Sequence, residues 1–255
     1  MALTGLFANP LVRRGAGAAV SLAMLTTVTL FGTARLALAQ GDAAKAQFIP
    51  GGVADGAALY AASLLRIGDR EGADLAARRA LGASLANPRA LRVLGQIRAE
   101  EGRQSAAALY GAAGLWGWRD TPSQLWLLRA KLMAGDFPGA FQHADALLRR
   151  RQEQPQLFAL LSQAAAASPH ALAAMLPFFE ARPIWRTHFF DNSGLAAVDQ
   201  KGVRAIILAL AATGAPPVDS EIRAAVQNML SRKDSEDAEA VWARFHPGAP
   251  LIQGR

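Results

Sequence analysis

Hydrophobic and polar positions along this chain rarely alternate in the period of two that half-buried strands require, and β-branched runs are scarce. Alanine and leucine dominate instead, so the pattern predicts helix nearly throughout and an all-α fold. Local signs divide this helical text. Asn87-Pro88, Thr121-Pro122 and Ser168-Pro169 each set an N-cap side chain before a proline at the first helical position, where the missing N–H costs nothing. Thr121 with Gln124 spells a capping box. Gly68, Gly102 and Gly135 are placed to end helices in the left-handed conformation, and Asp69 or Asp136 then caps the next helix.

These marks keep one period. The three turn glycines are 34 and 33 residues apart, Ala73, Ala107 and Ala140 repeat the step, and Pro88, Pro122 and Pro155 repeat it again. Each unit reads as helix, tight turn, helix. The recurring alanine is predicted to face the first helix of its pair, Ala107 against Gly95 and Ala73 against Ala61, where small residues let two backbones approach closely. Such a pair cannot bury its apolar surface alone, so stacking into an α-solenoid is expected.

Residues 54–154 therefore resemble the tetratricopeptide repeat family, whose units are helical hairpins of this length. Gly95, Gly102 and Ala107 carry the resemblance in one unit, and Gly135, Asp136, Phe137 and Ala140 in the next. The chain is also similar to exported helical-repeat proteins of high-GC bacteria. The resemblance implies a superhelix whose inner groove, lined by the first helix of each pair, holds a peptide or helix of a protein partner. On that register Arg89, Arg92, Gln96, Ser123, Trp126 and Ala130 line the groove. Trp116, Trp118 and Trp126 fall at a repeat junction, where packing between units is the expected role of at least two.

The N-terminal 39 residues read differently. A basic end at Arg13 and Arg14, an apolar stretch and Ala37-Leu38-Ala39 before Gln40 make a secretory signal with a small-x-small cleavage motif. The same segment holds an uncharged run of 20 residues, Gly15 to Ala34, about the length that crosses a bilayer as an anchor. The cleavage motif puts signal first and anchor second; both export the remainder to the periplasm or envelope. Residues 40–53 then read as a linker.

Residues 155–245 read as degenerate helical repeats and capping helices. "PQLFALLSQAAAA" and "PHALAAMLPFFEA" form a loose pair, "RPIWRTHFFDNSG" a short piece ending at Gly194, and "AVDQKGVRAIILALAATG" a helix closed by Gly214. Two more follow, capped by Asp219 or Ser220 and near Asp234 or Ser235, before a turn-rich tail, 246–255, with apolar Leu251-Ile252.

Composition narrows the function. No cysteine is present, which excludes disulfides, thiolate metal sites and cysteine nucleophiles. The formal charge of +7 falls to +4 without the three arginines of the N-terminal segment, and scattered arginine on helices reads as solvated surface, so no nucleic acid is expected. His143, His170, His188 and His246 are too dispersed for a metal site, and His188 with Asp191 lacks a third catalytic partner. Phosphate-loop, dinucleotide and nucleophile-elbow motifs are absent. The expectation is a non-catalytic scaffold of the bacterial envelope without cofactor, metal or catalytic residues, whose membrane contact is residues 15–34 if uncleaved. The alternatives are a pentatricopeptide-like RNA binder and, behind it, an envelope enzyme for which Glu180 and Asp191 are merely available.

Overall fold

The turn glycines stop helices as their spacing predicts. In the computed structural model, which describes residues 10–152 and 154–251 and side chains from Ala19 onward, Gly68, Gly102 and Gly135 have φ of +89°, +69° and +74°. The following N–H of Asp69, Arg103 or Asp136 reaches back to the carbonyl of Leu64, Arg98 or Lys131 at 3.0, 2.8 and 2.9 Å, closing the helix end by the Schellman pattern. The described residues form fourteen α-helices and no strand, grouped in two compact units, Met1–Ser123 and Gln124–Arg255.

The first unit contains α1 (Pro10–Ala39), α2 (Ala43–Ala46), α3 (Val53–Arg66), α4 (Arg70–Ala83), α5 (Pro88–Glu100) and α6 (Ser105–Trp116). The turns at Gly68 and Gly102 join α3 to α4 and α5 to α6, and each pair packs along its length. Alanine builds this core: Ala57, Ala58, Ala61, Ala73, Ala76, Ala77, Ala80 and Ala90 are buried together with Val93, Leu94 and Ile97. Small side chains allow close helix approach, and the loss of bulk is offset by shorter distances. The expected linker is packed too. It carries α2, whose Ala46 is fully buried, and Gly56 of α3 lies so near that a Cβ there would come within 2.5 Å of the Gln47 nitrogen.

One predicted facing fails. Ala107 is exposed, while Ala106 and Tyr110 turn inward and the Tyr110 ring lies 3.1 Å from where a Gly95 Cβ would stand. The helix start leaves this facing unset. In α4 and in the helix that starts at Phe137 an aspartate directly after the turn glycine caps the helix, Asp69 accepting from Gly72 N–H and Asp136 from Gly139 N–H. Arg103 stands in that place before α6, which begins after Gln104 without a side-chain cap, and the helix is rotated about its axis.

Helix α7 (Thr121–Met133) leads into the second unit, which continues with α8 (Phe137–Arg149), α9 (Gln154–Ala167), α10 (Pro169–Glu180), α11 (Ile184–Asp191), α12 (Gln200–Leu210), α13 (Asp219–Ser231) and α14 (Ser235–Phe245). The expected loose pair α9 and α10 do touch, but α9 packs chiefly on α12 and α10 on α8. Gly202 sits where a Cβ would collide with the Ser162 carbonyl, which is why α12 can lie so close to α9. The core here is aromatic. Phe158, Phe179, Trp185, Phe189 and Phe190 meet edge to face or tilted with centroids 4.9–6.3 Å apart, as ring quadrupoles favour.

Caps in this unit agree in part with expectation. Ser168 accepts from Ala171 N–H at 3.3 Å. At α13 neither Asp219 nor Ser220 is the cap: Val218 holds that place, and the Glu221 carboxylate reaches back to its N–H at 3.0 Å. Asp234 precedes α14 without a side-chain bond. The tail, as far as Leu251, folds back on α14, where Trp242 Nε1 donates to the Ala249 carbonyl at 3.1 Å and Leu251 packs on the core; Ile252 lies outside the described residues.

Candidate functional site

In the first unit a cleft of about 450 Å³ opens where the start of α5 meets the end of α6 and the turn beyond it. Asn87 organises its floor. Its Oδ1 accepts from Ala90 N–H at 3.0 Å, capping α5 as predicted, while its Nδ2 donates at 3.4 Å to the Ala54 carbonyl and the Asp55 carboxylate of α3. One buried amide thus ties the first turns of two helices together. Gly117 lies against Pro88, and a Cβ there would come within 2.5 Å of the proline ring.

With glycine in that place, the tryptophans on either side stay outside. Trp116 is 67% exposed and Trp118 43%, whereas Trp126, the third tryptophan expected at this junction, is half-buried. Arg89 and Arg119 complete the wall with Asp55 and Asp120. Among the described residues Arg89 and Arg119 make no ion pair, and they share the cleft wall with the exposed Trp116 and the partly exposed Trp118.

Asp120 closes the far side. Its Oδ2 accepts from the Ser123 hydroxyl at 2.6 Å and Ser123 N–H at 3.2 Å, and lies 2.9 Å from Arg92 Nε as an ion pair set off the N–H direction. The cap of α7 is therefore Asp120, and the predicted Thr121–Gln124 capping box does not form. A carboxylate that also pairs with Arg92 is the stronger cap, and bonding Ser123 N–H it starts the helix one residue before the box would. Behind this pair Tyr110 is buried, which raises its phenol pKa above the ordinary value; Arg92 opposes the shift, and Glu100 and Asp120 add to it.

The six residues expected to line a groove thus separate. Arg89 reaches the cleft. Arg92 and Ser123 are brought together at Asp120, and Ser123, expected to face a partner, is fully buried because its hydroxyl serves the cap. Gln96 donates to Glu100 on the same helix at 3.3 Å. Trp126 and Ala130 are half-buried on α7. Sequence reasoning missed Trp116, Trp118, Arg119 and Asp120, although Asp120 stands three residues before Ser123, the spacing an N-cap demands.

Each histidine has structural company. His143 Nδ1 lies 2.6 Å from Gln124 Oε1, His170 meets the Phe137 ring edge-on at 5.6 Å, and His246 stacks on Trp242 at 3.9 Å with Nε2 3.1 Å from Asp219. His188 is half-buried beside the aromatic core that Trp185, Phe189 and Phe190 build, with Asp191 exposed. A larger hollow of about 820 Å³ in the second unit has the tail residues Pro250 and Leu251 in its own wall. No protein-family model, curated protein or solved structure matches this chain.

Proposed function

We propose that this chain is a non-catalytic interaction protein of a bacterial envelope, a solenoid of tetratricopeptide-like hairpins that holds a protein partner as an extended peptide or helix. The observation that carries the reading is the cleft in which exposed Trp116 and Trp118 flank Arg89 and Arg119. Tryptophan and arginine contribute most to binding energy at protein interfaces, and a large indole left in water at a concave site gains on being covered. Paired cations beside aromatic faces suit a segment that alternates acidic with apolar or proline side chains. The helix starts support the repeat: α3, α5, α7 and α9 begin at residues 53, 88, 121 and 154, and α4, α6 and α8 at 70, 105 and 137. Export is supported by α1, of which Ala19–Ala39 is long and apolar enough to enter a membrane.

The test is a photo-crosslinking residue placed at Trp116 or Arg89 in living cells, with Leu75, 68% exposed on α4, as the control position. A discrete protein adduct from the cleft positions and none from the control is the expected result. Equal labelling from all three positions overturns the reading. An adduct removed by ribonuclease replaces it with RNA binding.

A further inference from the structure

We infer that α1 is retained as a transmembrane anchor whose last two turns are part of the first unit's fold, and that the bond after Ala39 is not cut. This deepens the export reading and rests on it.

A cleavage motif has to be read as an extended strand, because only there do small side chains two residues apart point to one side of the backbone, into neighbouring pockets; on a helix Ala37 and Ala39 point nearly opposite ways. In this protein the motif is the end of a helix. Gln40 N–H donates to the Leu36 carbonyl at 2.9 Å, Gly41 N–H to Leu38 at 3.1 Å and Asp42 N–H to Ala37 at 2.8 Å, with Gly41 at φ +77°. These bonds form a complete Schellman end around the residues a peptidase would have to unwind.

The same turns are packed. Ala34 is 1% exposed and Ala37 5%. The loop before α3 is shaped around them by two glycines: a Cβ on Gly52 would stand 2.8 Å from that of Ala34, and one on Gly51 would stand 2.9 Å from the Phe31 ring. Beyond them α1 packs on α2, which packs on α3. A leader that is discarded has no reason to be fitted into the domain it leaves.

Upstream the described side chains from Ala19 to Thr29 are all exposed, and their surface suits lipid. Leu22, Met24, Leu25 and Val28 are each 65–68% exposed, and Ala19 to Ala34 carries no charge on any face, which excludes a helix lying flat with a polar side to water. Ala19–Ala39 has a mean hydropathy of 1.5 and spans about 30 Å at helical rise. The four threonines do not spoil the span. Thr26, Thr27 and Thr29 each donate to the carbonyl four residues back at 2.8 Å and Thr33 to Leu30 at 2.9 Å, so no threonine hydroxyl is left unpaired in hydrocarbon. Arg35, exposed at the end of the uncharged run, is placed to reach the interface.

The experiment is alkaline extraction and intact-mass analysis of the full chain expressed in a bacterium with a C-terminal tag, beside Ala39→Tyr, which blocks a small-residue cleavage pocket. Full-length mass in the washed membrane for both is the expected result. Soluble periplasmic protein beginning at Gln40, or a longer product only in the variant, overturns the anchor while leaving export intact; full-length soluble protein in the cytoplasm overturns both. A second readout needs no fractionation. Ala34→Leu, in detergent, is expected to lower the thermal midpoint of the full chain by roughly 3–6 °C, since added bulk at a closed site strains the packing. An unchanged midpoint overturns the claim that α1 belongs to the fold.

Discussion

Arg186 on α11 and Glu221 on α13 form a two-point ion pair inside the second unit, Nε to Oε1 at 2.9 Å and Nη2 to Oε2 at 2.8 Å, with the two side chains 1% and 4% exposed. Nη1 donates to the Phe179 and Ala215 carbonyls at 3.0 Å, and Nη2 also to Pro216 at 3.2 Å. All five guanidinium donors are used, and Glu221 in turn receives the Val218 N–H. The pair thus joins the end of α10, the α12–α13 turn and the start of α13.

Breaking one partner leaves an uncompensated buried charge, so Glu221→Gln or Arg186→Met is expected to cost about 3–5 kcal/mol in urea unfolding. Replacing both with apolar residues restores a buried ion pair's loss where nothing else depends on it. Here the Ala215 carbonyl would also lose its donor, whereas the Phe179 and Pro216 carbonyls keep bonds from Arg182, so Arg186→Met with Glu221→Leu is expected to remain destabilised by about 1 kcal/mol or more. A neutral double variant would show that the carbonyl bonds contribute little.

His143 supplies a pH dependence. It is buried against Gln124, and its pKa lies below the ordinary value, first because burial disfavours the imidazolium, then because of Lys131; Asp136 opposes both. The unfolded chain therefore takes up a proton at higher pH than the folded one. Stability should be full above the unfolded value of about 6.5 and fall as pH drops below it toward the folded value. Chemical denaturation from pH 8 to pH 5 is expected to show this slope, and His143→Gln to flatten it. An equal slope in the variant would place the titration elsewhere.

Three helix ends, at Arg151, Arg182 and Lys233, use basic residues where others use glycine. Arg151 and Lys233 have φ of +57° and +64°, and the residue after each closes the same backbone ring, Gln152 N–H to Leu147 and Asp234 N–H to Met229, both at 3.0 Å. A side chain in this region costs about 1–2 kcal/mol, of which glycine's greater unfolded freedom returns part. Lys233→Gly should then stabilise by about 0.5 kcal/mol and Gly102→Ala destabilise by about 1 kcal/mol, measured as denaturation midpoints.

What the sequence revealed follows from the range of the forces involved. Asn87, Ser168, Asp69 and Asp136 cap donors three residues away, and glycine ends act within six, so helix limits were legible from neighbours alone. The rotation of α6 was not, because Gln104 has no cap to set it and tertiary packing of Tyr110 decides. Arg186 and Glu221 are 35 residues apart and each reads as surface; only the fold shows that their charges meet. The cleft was hidden by a rule that usually holds. Large aromatics are buried, yet here Gly117 takes the place against Pro88 and the flanking indoles do not.

Asp120 and Thr121 separate the two accounts of how α7 begins. If Thr121 capped the helix, Thr121→Ala would cost about 1 kcal/mol and Asp120→Ala little. Because Asp120 bonds Ser123 and pairs with Arg92, whose side chain is 15% exposed, the order is expected to reverse. Asp120→Ala should cost about 2–3 kcal/mol, the cap plus a half-buried cation left without its partner, and Thr121→Ala about zero. Asp120→Asn keeps a cap and loses the charge, so it should fall between them. Trp116→Ala, beside the same turn but mostly in solvent, is expected to leave unfolding unchanged while weakening cross-linking from Arg89 to a partner. A large stability loss in that variant would return Trp116 to a packing role and remove the main support for a binding cleft.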